Sequence, residues 1–199
     1  MRIIAGRFRS RRLKGPGALP VRPTSDRLRQ TLFDILGRRI EGAIFIDAFA
    51  GTGAVGLEAL SRGAARVLFV EISRRAADVI AANLNRLAAD AAAEVLVGDA
   101  RRILRRLARA GVQADFLFLD PPYAAATDYC RLLQELADAL PLAPTGSLIV
   151  EHPARIRLPA CVGGIELWRT VSQGDAALSF YQRLPGPQAQ PPASRPAAV

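Results

Sequence analysis

From residue 43 onward, apolar residues recur along the chain in two alternating patterns. Short, nearly continuous apolar runs such as "AIFIDA", "RVLFVE" and "ADFLFLD" have the length and composition of buried strands. Longer segments with apolar residues at helical spacing lie between them, among them residues 73–89 and "RRILRRLARAG". Apolar strands that alternate with helices predict a parallel sheet covered by helices on both sides.

The two ends of the chain depart from this alternation. The segment "GIELWRTVSQGDAALSFYQRL" predicts two antiparallel strands joined by a turn at Gly174. Near the start, a Gly- and Pro-rich stretch precedes a helix whose apolar stripe begins at Leu28 and whose cap is Ser25 or Thr24. The predicted fold class is therefore α/β: a doubly wound, mostly parallel seven-stranded sheet with an antiparallel C-terminal hairpin and a basic N-terminal arm.

Charge is distributed unevenly over the 199 residues. Residues 1–39 carry ten arginines and Lys14 against two acids, whereas residues 40–199 are neutral overall, so the formal +9 lies in the first fifth of the chain. Such a basic segment predicts contact with a polyanion, and arginine suits phosphate. We therefore predict that residues 1–39 contact nucleic acid, that residues 40–184 form a catalytic domain, and that the Pro- and Ala-rich tail 185–199 is disordered.

Composition argues against several classes of protein. No window approaches the ~18 to 20 apolar residues of a membrane span. The N-terminus lacks the apolar core of a secretory signal, so a cytoplasmic protein is expected. Cys130 and Cys161 have no CxxC-type spacing, and His152 is the only histidine. A zinc site, a histidine-dependent triad and structural disulfides are therefore not expected.

A glycine loop follows the first apolar strand. Gly51, Gly53 and Gly56 form a Gly-x-Gly-x-x-Gly pattern before a helix, and Glu71 follows twenty residues after the first of them. The pattern suits any nucleoside ligand, because glycine lets backbone N–H groups approach it and the acid accepts hydrogen bonds from ribose hydroxyls. Asp47 at the end of the strand would repel a pyrophosphate and suits a ligand with a positive amino group.

S-adenosylmethionine carries such an ammonium group together with a sulfonium. Asp99 follows the third strand, where an acid and adjacent backbone groups reach an adenine amine. Three acids thus end neighbouring strands at the edge where open α/β sheets bind ligands. The predicted cofactor is S-adenosylmethionine, and the predicted cofactor-binding residues are Asp47, Phe49, Gly51, Thr52, Gly53, Glu71, Ile72, Asp99 and Ala100.

The fourth strand ends in the sequence Asp120-Pro121-Pro122-Tyr123. The lone pair of an exocyclic amine on a nucleobase is delocalised into the ring. Two acceptors, the Asp120 carboxylate and the Pro121 carbonyl, can bind its hydrogens and turn the lone pair toward an electrophile. The prolines stiffen the loop, and Tyr123 can stack on the base. We predict that these four residues are catalytic and hold a flat amine at a methyl donor; the alternative is that they only end a strand.

The motifs "FAGTG", "VE", "GDA" and "LDPPY" resemble those of class I S-adenosylmethionine-dependent amino-methyltransferases, whose fold is Rossmann-like. "MRIIAGRFRSRRLKGP", "RPTSDRLRQTLFDIL" and "DAFAGTGAVGLEALSRGA" extend the match, and together they resemble the bacterial RsmD family from Met1 to about Arg183. The resemblance implies methylation of the N2 amine of a guanine in 16S ribosomal RNA. We expect a monomer without metal that acts on an assembling or assembled small ribosomal subunit.

The arm supplies the candidate contacts to RNA. The predicted RNA-binding residues are Arg7, Arg9, Arg11, Arg12, Arg22, Thr24, Asp26, Arg27 and Arg29. A second group of arginines lies on one face of the helix 101–109, where a solvated surface is the simpler interpretation.

Other functions are compatible with parts of this pattern. An adenine-N6 nucleic-acid methyltransferase shares the DPPY chemistry, but it usually has a target-recognition domain for which this chain has no room. A non-catalytic RNA-binding assembly protein on the same fold would not need Asp120 and its neighbours. Enzymes that methylate protein glutamine carry Asn at that position, and an NAD-dependent reductase fits the glycine loop alone.

Overall fold

The computed structural model describes residues 1–15, 24–121, 129–137 and 140–183. The predicted disordered tail 185–199 lies outside these ranges. Five α-helices lie within them: α1 (Asp26–Leu36), α2 (Ala54–Ser61), α3 (Arg74–Leu87), α4 (Ala100–Arg109) and α5 (Tyr129–Ala137). Two short 3₁₀ turns, Gly37–Ile40 and Asp90–Ala92, precede strands. In the part of the chain that is described, no helix combines the length and apolar character needed to cross a bilayer.

Within the described ranges, one sheet contains eight strands: β1 (Ile44–Ala48), β2 (Arg66–Glu71), β3 (Ala93–Val97), β4 (Ala114–Leu119), β5 (Leu142–Pro153), β6 (Cys161–Val162), β7 (Ile165–Gln173) and β8 (Ala176–Arg183). Their order is β3-β2-β1-β4-β5-β8-β7-β6, with the first five parallel and the last three antiparallel. The predicted doubly wound fold with its C-terminal hairpin is confirmed. The eighth strand is the two-residue β6, which pairs with the outer side of β7.

The sheet separates two hydrophobic cores, because successive side chains of a strand point to opposite faces. Phe45, Phe69 and Phe118 belong to the core that α1, α2 and α3 cover, which we call the first face. Ile46 and Leu117 belong to the core under α4 and α5, the second face. The near-continuous apolar strands therefore bury both sides, as a parallel sheet requires.

Side-chain caps begin three of the helices. The hydroxyl of Ser25 accepts a hydrogen bond from the backbone N–H of Leu28 and starts α1. Ser73 caps α3 in the same way, and the carboxylate of Asp99 caps α4. Of the two caps predicted for α1, Ser25 is the one that the structure shows, and the hydroxyl of Thr24 instead donates to Glu151.

The N-terminal arm folds back on itself and packs on the first face. The backbone N–H of Ile3 donates to the carbonyl of Arg11 at 3.0 Å, and Ser10 N–H donates back to Ile3 at 2.9 Å. Ile3 and Leu13 are buried in the same core as Phe45. The arm is therefore part of the hydrophobic core of the molecule and not a separate extension.

A buried carboxylate on α2 holds the arm in place. Glu58 is fully buried, and its two oxygens accept hydrogen bonds from the backbone N–H groups of Ile4, at 2.8 Å, and Ala5, at 3.0 Å. The guanidinium of Arg62 donates to it at 2.8 Å, and Nε of Arg29 lies 3.7 Å away. One side chain thus joins the arm, α1 and α2.

The arm also approaches α2 and α3 very closely. The backbone N–H of Arg7 donates to the carbonyl of Ser61 at 2.8 Å. Gly6 has φ +80°, and a Cβ added there would lie 1.9 Å from that carbonyl oxygen, so only glycine fits. Further along, the side-chain amide of Asn83 on α3 pairs with the backbone N–H and carbonyl of Lys14.

The hairpin packs differently on its two sides. Phe180 is buried in the first core, whereas Trp168 is exposed, with its ring centroid 5.7 Å from that of Phe180. His152 on β5 is buried, and its Nε2 lies 2.8 Å from the hydroxyl of Ser179 on β8. Burial lowers the pKa of His152, against the hydrogen bond to the carbonyl of Pro153, which raises it.

We expect Glu58→Gln to lower the free energy of unfolding by about 3 to 5 kcal/mol, the usual cost of removing one partner of a buried ion pair. The substitution keeps the size of the side chain, but it removes the charge opposite Arg29 and one acceptor for the arm. Urea denaturation measures the loss.

The matched control is Glu41→Gln, because Glu41 and Arg38 form an exposed ion pair at 3.8 Å. Pairs of that kind contribute little to stability. Equal denaturation midpoints for the Glu58 and Glu41 variants would contradict the anchoring role of Glu58.

Candidate active site

Acidic residues stand at the C-terminal ends of neighbouring strands. Asp47 is level with Phe69 on β2 and Phe118 on β4 in the sheet register. Glu71 and Asp120 lie two residues further along those two strands. All three side chains therefore point to the first face, the same side as the glycine loop. The structure brings these predicted residues together at one edge of the sheet.

Asp47 is the most deeply buried acid of this group, with 2% of its surface exposed. Its Oδ2 accepts a hydrogen bond from the backbone N–H of Gly56 at 2.8 Å. Burial raises the pKa of Asp47 to about 8, although the bond from Gly56 opposes this shift, and the nearby carboxylates of Glu71 and Glu151 raise the pKa further. A positive group close to this edge would stabilise the ionised form.

Glu71 shapes the glycine loop as well as facing the site. Its Oε2 accepts from the backbone N–H of Gly51 at 2.7 Å, and its Oε1 accepts from that of Ser73 at 2.7 Å. Each carboxylate oxygen has two lone pairs, so these bonds are compatible with a further bond from a ligand hydroxyl. The acid predicted to bind ribose is therefore also the acid that fixes the loop next to it.

The glycines of the loop are required by the protein's own packing. Gly53 has φ +77°, and a Cβ added there would lie 3.1 Å from a side-chain carbon of Ile80. A Cβ at Gly56 would lie 2.3 Å from the ring of Phe69, so α2 can approach β2 only with glycine at that position. Phe49 also has a left-handed backbone, with φ 65°, where the chain turns out of β1.

An exposed apolar surface lies beside the loop. Ile72 follows β2 and is 70% exposed. Val97 on β3 pairs with Glu71 of β2 in the sheet register and is exposed too. Large apolar side chains in such positions suit a flat ligand that covers them.

The start of the arm touches the glycine loop. Thr52 is buried, and its hydroxyl lies 3.9 Å from the sulfur of Met1.

Asp99 has a structural task at the end of β3. Its Oδ1 accepts from the backbone N–H of Arg102 at 3.1 Å and caps α4, and its Oδ2 lies 3.5 Å from the guanidinium of Arg101. Ala100 is buried at the start of the helix. The contact of Asp99 and Ala100 with an adenine amine stays a prediction.

Asp120 continues β4 past its last ladder pair. Its backbone N–H donates to the carbonyl of Ala48 at 3.4 Å, which holds it beside β1, and Pro121 after it is buried. Pro122 and Tyr123 lie outside the described residues, so their predicted roles in stiffening the loop and stacking on the base stay predictions.

Glu151 is a fifth carboxylate at this edge, and the sequence analysis does not single it out. Leu119 pairs with Val150, so Glu151 on β5 is level with Asp120 and faces the same side. It is 7% exposed, and the hydroxyl of Thr24 donates to its Oε2 at 2.7 Å. The available signal was an acid at the end of a buried strand, "GSLIVEH", the same pattern that identified Asp47 and Glu71.

Two of the predicted RNA-binding residues are inside the protein. Arg29 is fully buried, and its Nη2 donates to the carbonyl of Arg2 at 2.8 Å and to the carboxylate of Asp26 at 3.0 Å. Thr24 is buried against Glu151. Complete burial therefore argues against direct RNA contact by Arg29, and Thr24 is engaged with Glu151.

The remaining arm residues form an exposed basic surface. Arg7, Arg9, Arg11 and Arg12 are exposed, as are Arg27 and the Asp26 that pairs with Arg29; Arg22 lies outside the described residues. A cavity of about 80 Å³ separates the arm from α3 and is lined by Arg11, Arg12, Leu13, Asn83, Arg86 and Leu87. Arg86 was not predicted, because only the fold brings α3 next to the arm. The helix α4 with its arginines lies on the second face, on the other side of the sheet.

Comparison with known proteins identifies relatives along nearly the whole chain. The family model "Conserved hypothetical protein 95" matches residues 1–182. Ribosomal RNA small subunit methyltransferase D of Escherichia coli is 36% identical over 92% of this chain and 90% of its own length. The putative rRNA methyltransferase YlbH of Bacillus subtilis is 32% identical over 92% of this chain and 99% of its own.

Solved structures agree with this assignment. A putative methyltransferase, yhhF, from Escherichia coli superposes with a TM-score of 0.79 at 35% identity and covers 92% of this chain and 97% of its own. A putative RNA methyltransferase from Pyrococcus horikoshii shares the fold, with a TM-score of 0.66 at 19% identity over 86% of this chain and 93% of its own. The chain belongs to the family described as Conserved hypothetical protein 95, the RsmD family that its N-terminal and DPPY motifs resemble.

Proposed function

We propose that this protein transfers a methyl group from S-adenosylmethionine to the exocyclic N2 amine of a guanine in small-subunit ribosomal RNA. The observation that carries the proposal is the position of Asp120, which ends β4 beside the glycine loop and faces the same side as Asp47 and Glu71. The names of the relatives from Escherichia coli and Bacillus subtilis support ribosomal RNA as the substrate. The target lies in an assembling or assembled small subunit, and a monomer acts on it.

The residues at the sheet edge fit a cationic nucleoside ligand. Asp47, Glu71 and Glu151 place negative charge close together, and burial already opposes ionisation of Asp47. An ammonium or sulfonium group relieves this repulsion, whereas a pyrophosphate increases it. The exposed side chain of Ile72 offers an apolar contact for an adenine ring, and the acid of Glu71 reaches ribose hydroxyls. When bound, the cofactor supplies a methyl group on a positively charged sulfur.

Asp120 acts on the amine that receives the methyl group. Its carboxylate accepts a hydrogen bond from the amine and, with the carbonyl of Pro121, turns the nitrogen lone pair toward the methyl carbon. This orientation would present the nitrogen to the methyl group that the bound cofactor would supply. The methylated nitrogen then loses a proton, which Asp120 accepts and passes to water. Positioning of this kind can contribute ~7 to 11 kcal/mol to lowering a barrier.

The basic surface of the arm supplies the contacts to the RNA backbone. The guanidinium of Arg7 lies 4.4 Å from the centroid of the Phe8 ring. Arg9, Arg11 and Arg12 of the same arm are exposed. Arg86 on α3 extends this surface across the cavity beside the arm. Arginines on phosphates provide affinity and orientation, while the site at the sheet edge selects the base.

Incubation with labelled S-adenosylmethionine and 16S ribosomal RNA, free and bound to small-subunit proteins, should label one guanine at N2, as mapped by nuclease digestion and mass spectrometry. We expect Asp120→Ala to reduce turnover by at least about 100-fold, since the carboxylate acts on the amine in the transition state. Asp120→Asn retains an acceptor oxygen and should lose less.

Both Asp120 variants should bind S-adenosylmethionine with unchanged affinity in calorimetry, because the residue is assigned to the amine and not to the cofactor. Methylation by Asp120→Ala at the wild-type rate would falsify the catalytic assignment. Label on adenine N6 would instead overturn the assignment of the base.

Affinity for S-adenosylmethionine should rise several-fold between pH 6.5 and pH 9. The pKa of Asp47 is raised to about 8, so the carboxyl group is mostly neutral at the lower pH and ionised at the higher pH, where it attracts a cation. Asp47→Asn keeps an acceptor for Gly56 and should bind weakly with a flatter pH profile in calorimetry.

The raised pKa of Asp47 also affects the stability of the unliganded protein, which should decrease as the pH rises, whereas affinity for the cofactor should increase. The ordinary pKa of an Asp carboxyl group in the unfolded chain is 3.8, so the stability associated with protonated Asp47 is complete below that pH and is lost as the pH rises through about 8. Asp47→Asn should remove this part of the pH dependence of unfolding. Identical pH profiles for wild type and variant, in binding and in unfolding, would contradict the assignment.

Replacing Arg7, Arg9, Arg11 and Arg12 with Ala should flatten the slope of log RNA affinity against log salt by up to ~3 units, since each contact with a single-strand phosphate contributes about −0.7. The measurement is RNA binding across a salt series. Binding of S-adenosylmethionine should not change.

The matched control replaces four arginines of α4 on the second face: Arg102, Arg105, Arg106 and Arg109. These changes remove the same formal charge as the arm variant. They should reduce the slope of log RNA affinity against log salt less than the arm variant does. If the α4 variant loses the slope and the arm variant keeps it, the RNA surface lies on the second face.

A further inference from the structure

Two acidic residues, Asp120 and Glu151, lie just beyond the last pair between the parallel strands β4 and β5: Asp120 directly follows β4, and Glu151 is within β5. The last ladder pair before them is Leu119 with Val150, so both residues are one step beyond it and face the same side. Neighbouring strands lie about 4.8 Å apart. Two acceptors with this spacing can converge on two neighbouring N–H donors along one edge of a planar base.

A hydrogen bond from Thr24 fixes the orientation of Glu151. The hydroxyl of Thr24 donates to Oε2 of Glu151 at 2.7 Å, and both side chains are buried. A carboxylate accepts about four hydrogen bonds, so this bond is compatible with another from a ligand. Glu151 also lies near enough to Asp47 to raise the pKa of that carboxyl group.

We propose that Glu151, oriented by Thr24, is the residue that selects guanine, by accepting a hydrogen bond from the ring N1–H beside the amine that Asp120 binds. The inference rests on the proposed function and deepens it. Guanine presents an N1–H donor next to its N2 amine, so two carboxylates match two donors. Adenine presents an unprotonated N1 next to its N6 amine, and a carboxylate facing that lone pair would be repelled.

The strength of the selection follows from burial. A buried polar group has little water to bond with, so its free energy depends on the hydrogen-bond partner that the ligand supplies. A buried carboxylate that faces another acceptor is therefore destabilised. Enzymes that act on single bases commonly recognise them by hydrogen bonds along this edge. Glu151 therefore contributes specificity, while Asp120 contributes to the transfer.

The test uses synthetic RNA that carries guanine or 2-aminopurine at the mapped target position. 2-Aminopurine keeps the exocyclic amine at the same place but has an unprotonated N1. The wild-type protein should prefer guanine in kcat/KM. Glu151→Gln should reduce that preference roughly ten-fold or more, because an amide can accept from guanine N1–H or donate to the N1 of 2-aminopurine.

Two further variants separate recognition from a structural role. Thr24→Val should lower the rate on both RNAs and retain most of the preference, since the carboxylate remains. Asp115→Asn changes a carboxylate that accepts from the backbone N–H of Ile44 at 2.8 Å, at the start of β1. It is the matched control and should leave the preference unchanged. Thermal unfolding and binding of S-adenosylmethionine report whether each variant is folded.

An unchanged preference in folded Glu151→Gln overturns the inference and leaves the proposed function standing. Failure of the wild-type protein to methylate the guanine RNA at all overturns the proposed function, and the inference with it. A reduced preference in Glu151→Gln, with the preference kept in Asp115→Asn, supports the assignment.

Discussion

The parallel register of β1, β2, β4 and β5 is the constraint on which the candidate site depends. Parallel strands all bring their carboxyl ends to one edge, and alternation assigns every second residue to the same face. Asp47, Glu71, Asp120 and Glu151 satisfy both conditions at once. A shift of one residue in any of these strands would turn its acid to the second face, under α4 and α5. The strand register and the alternation of side-chain direction thus determine which side chains meet at the sheet edge.

The buried carboxylate of Glu58 holds the basic N-terminal arm against the rest of the protein. Glu58 receives the backbone of the arm, and Arg29 beside it links α1 to the same point. Two buried charges are expensive to remove from water, and their hydrogen bonds offset that cost only when the geometry is kept. The backbone of residues 1–15 of the arm therefore has a defined path over the first face.

Much of the fold was predictable because its signals are local. Apolar runs located the parallel strands, and the helical segments predicted at residues 73–89 and at "RRILRRLARAG" correspond to α3 and α4. The two-residue strand β6 has no sequence signal, since Cys161 and Val162 gain their partners only from β7. The glycine loop and the acids at or just after the ends of β1, β2 and β4 also have local signals, because each acid closes a recognisable apolar run.

Contacts between distant parts of the chain were not predictable in this way. Arg29 belongs to a basic sequence, and nothing local shows that Glu58 on another helix would bury it. Thr24 was assigned to RNA because its partner Glu151 is 127 residues away. Arg86 was overlooked for the same reason, since only the packing of α3 against the arm places it near Arg11 and Arg12. Charge counts along a sequence include residues that tertiary contacts remove from the surface.

The docked arm has a consequence for the thermodynamics of any polyanion that binds it. Fixing a disordered residue costs about 1 to 2 kcal/mol of conformational entropy, and a flexible basic tail meets that cost each time it binds. In this protein, the contact of Gly6 with Ser61 and the hydrogen bonds to Glu58 already order the backbone of the arm, so this entropy is lost during folding. Association with the proposed RNA should therefore resemble the docking of two preformed surfaces, with a small change in heat capacity, and not coupled folding and binding.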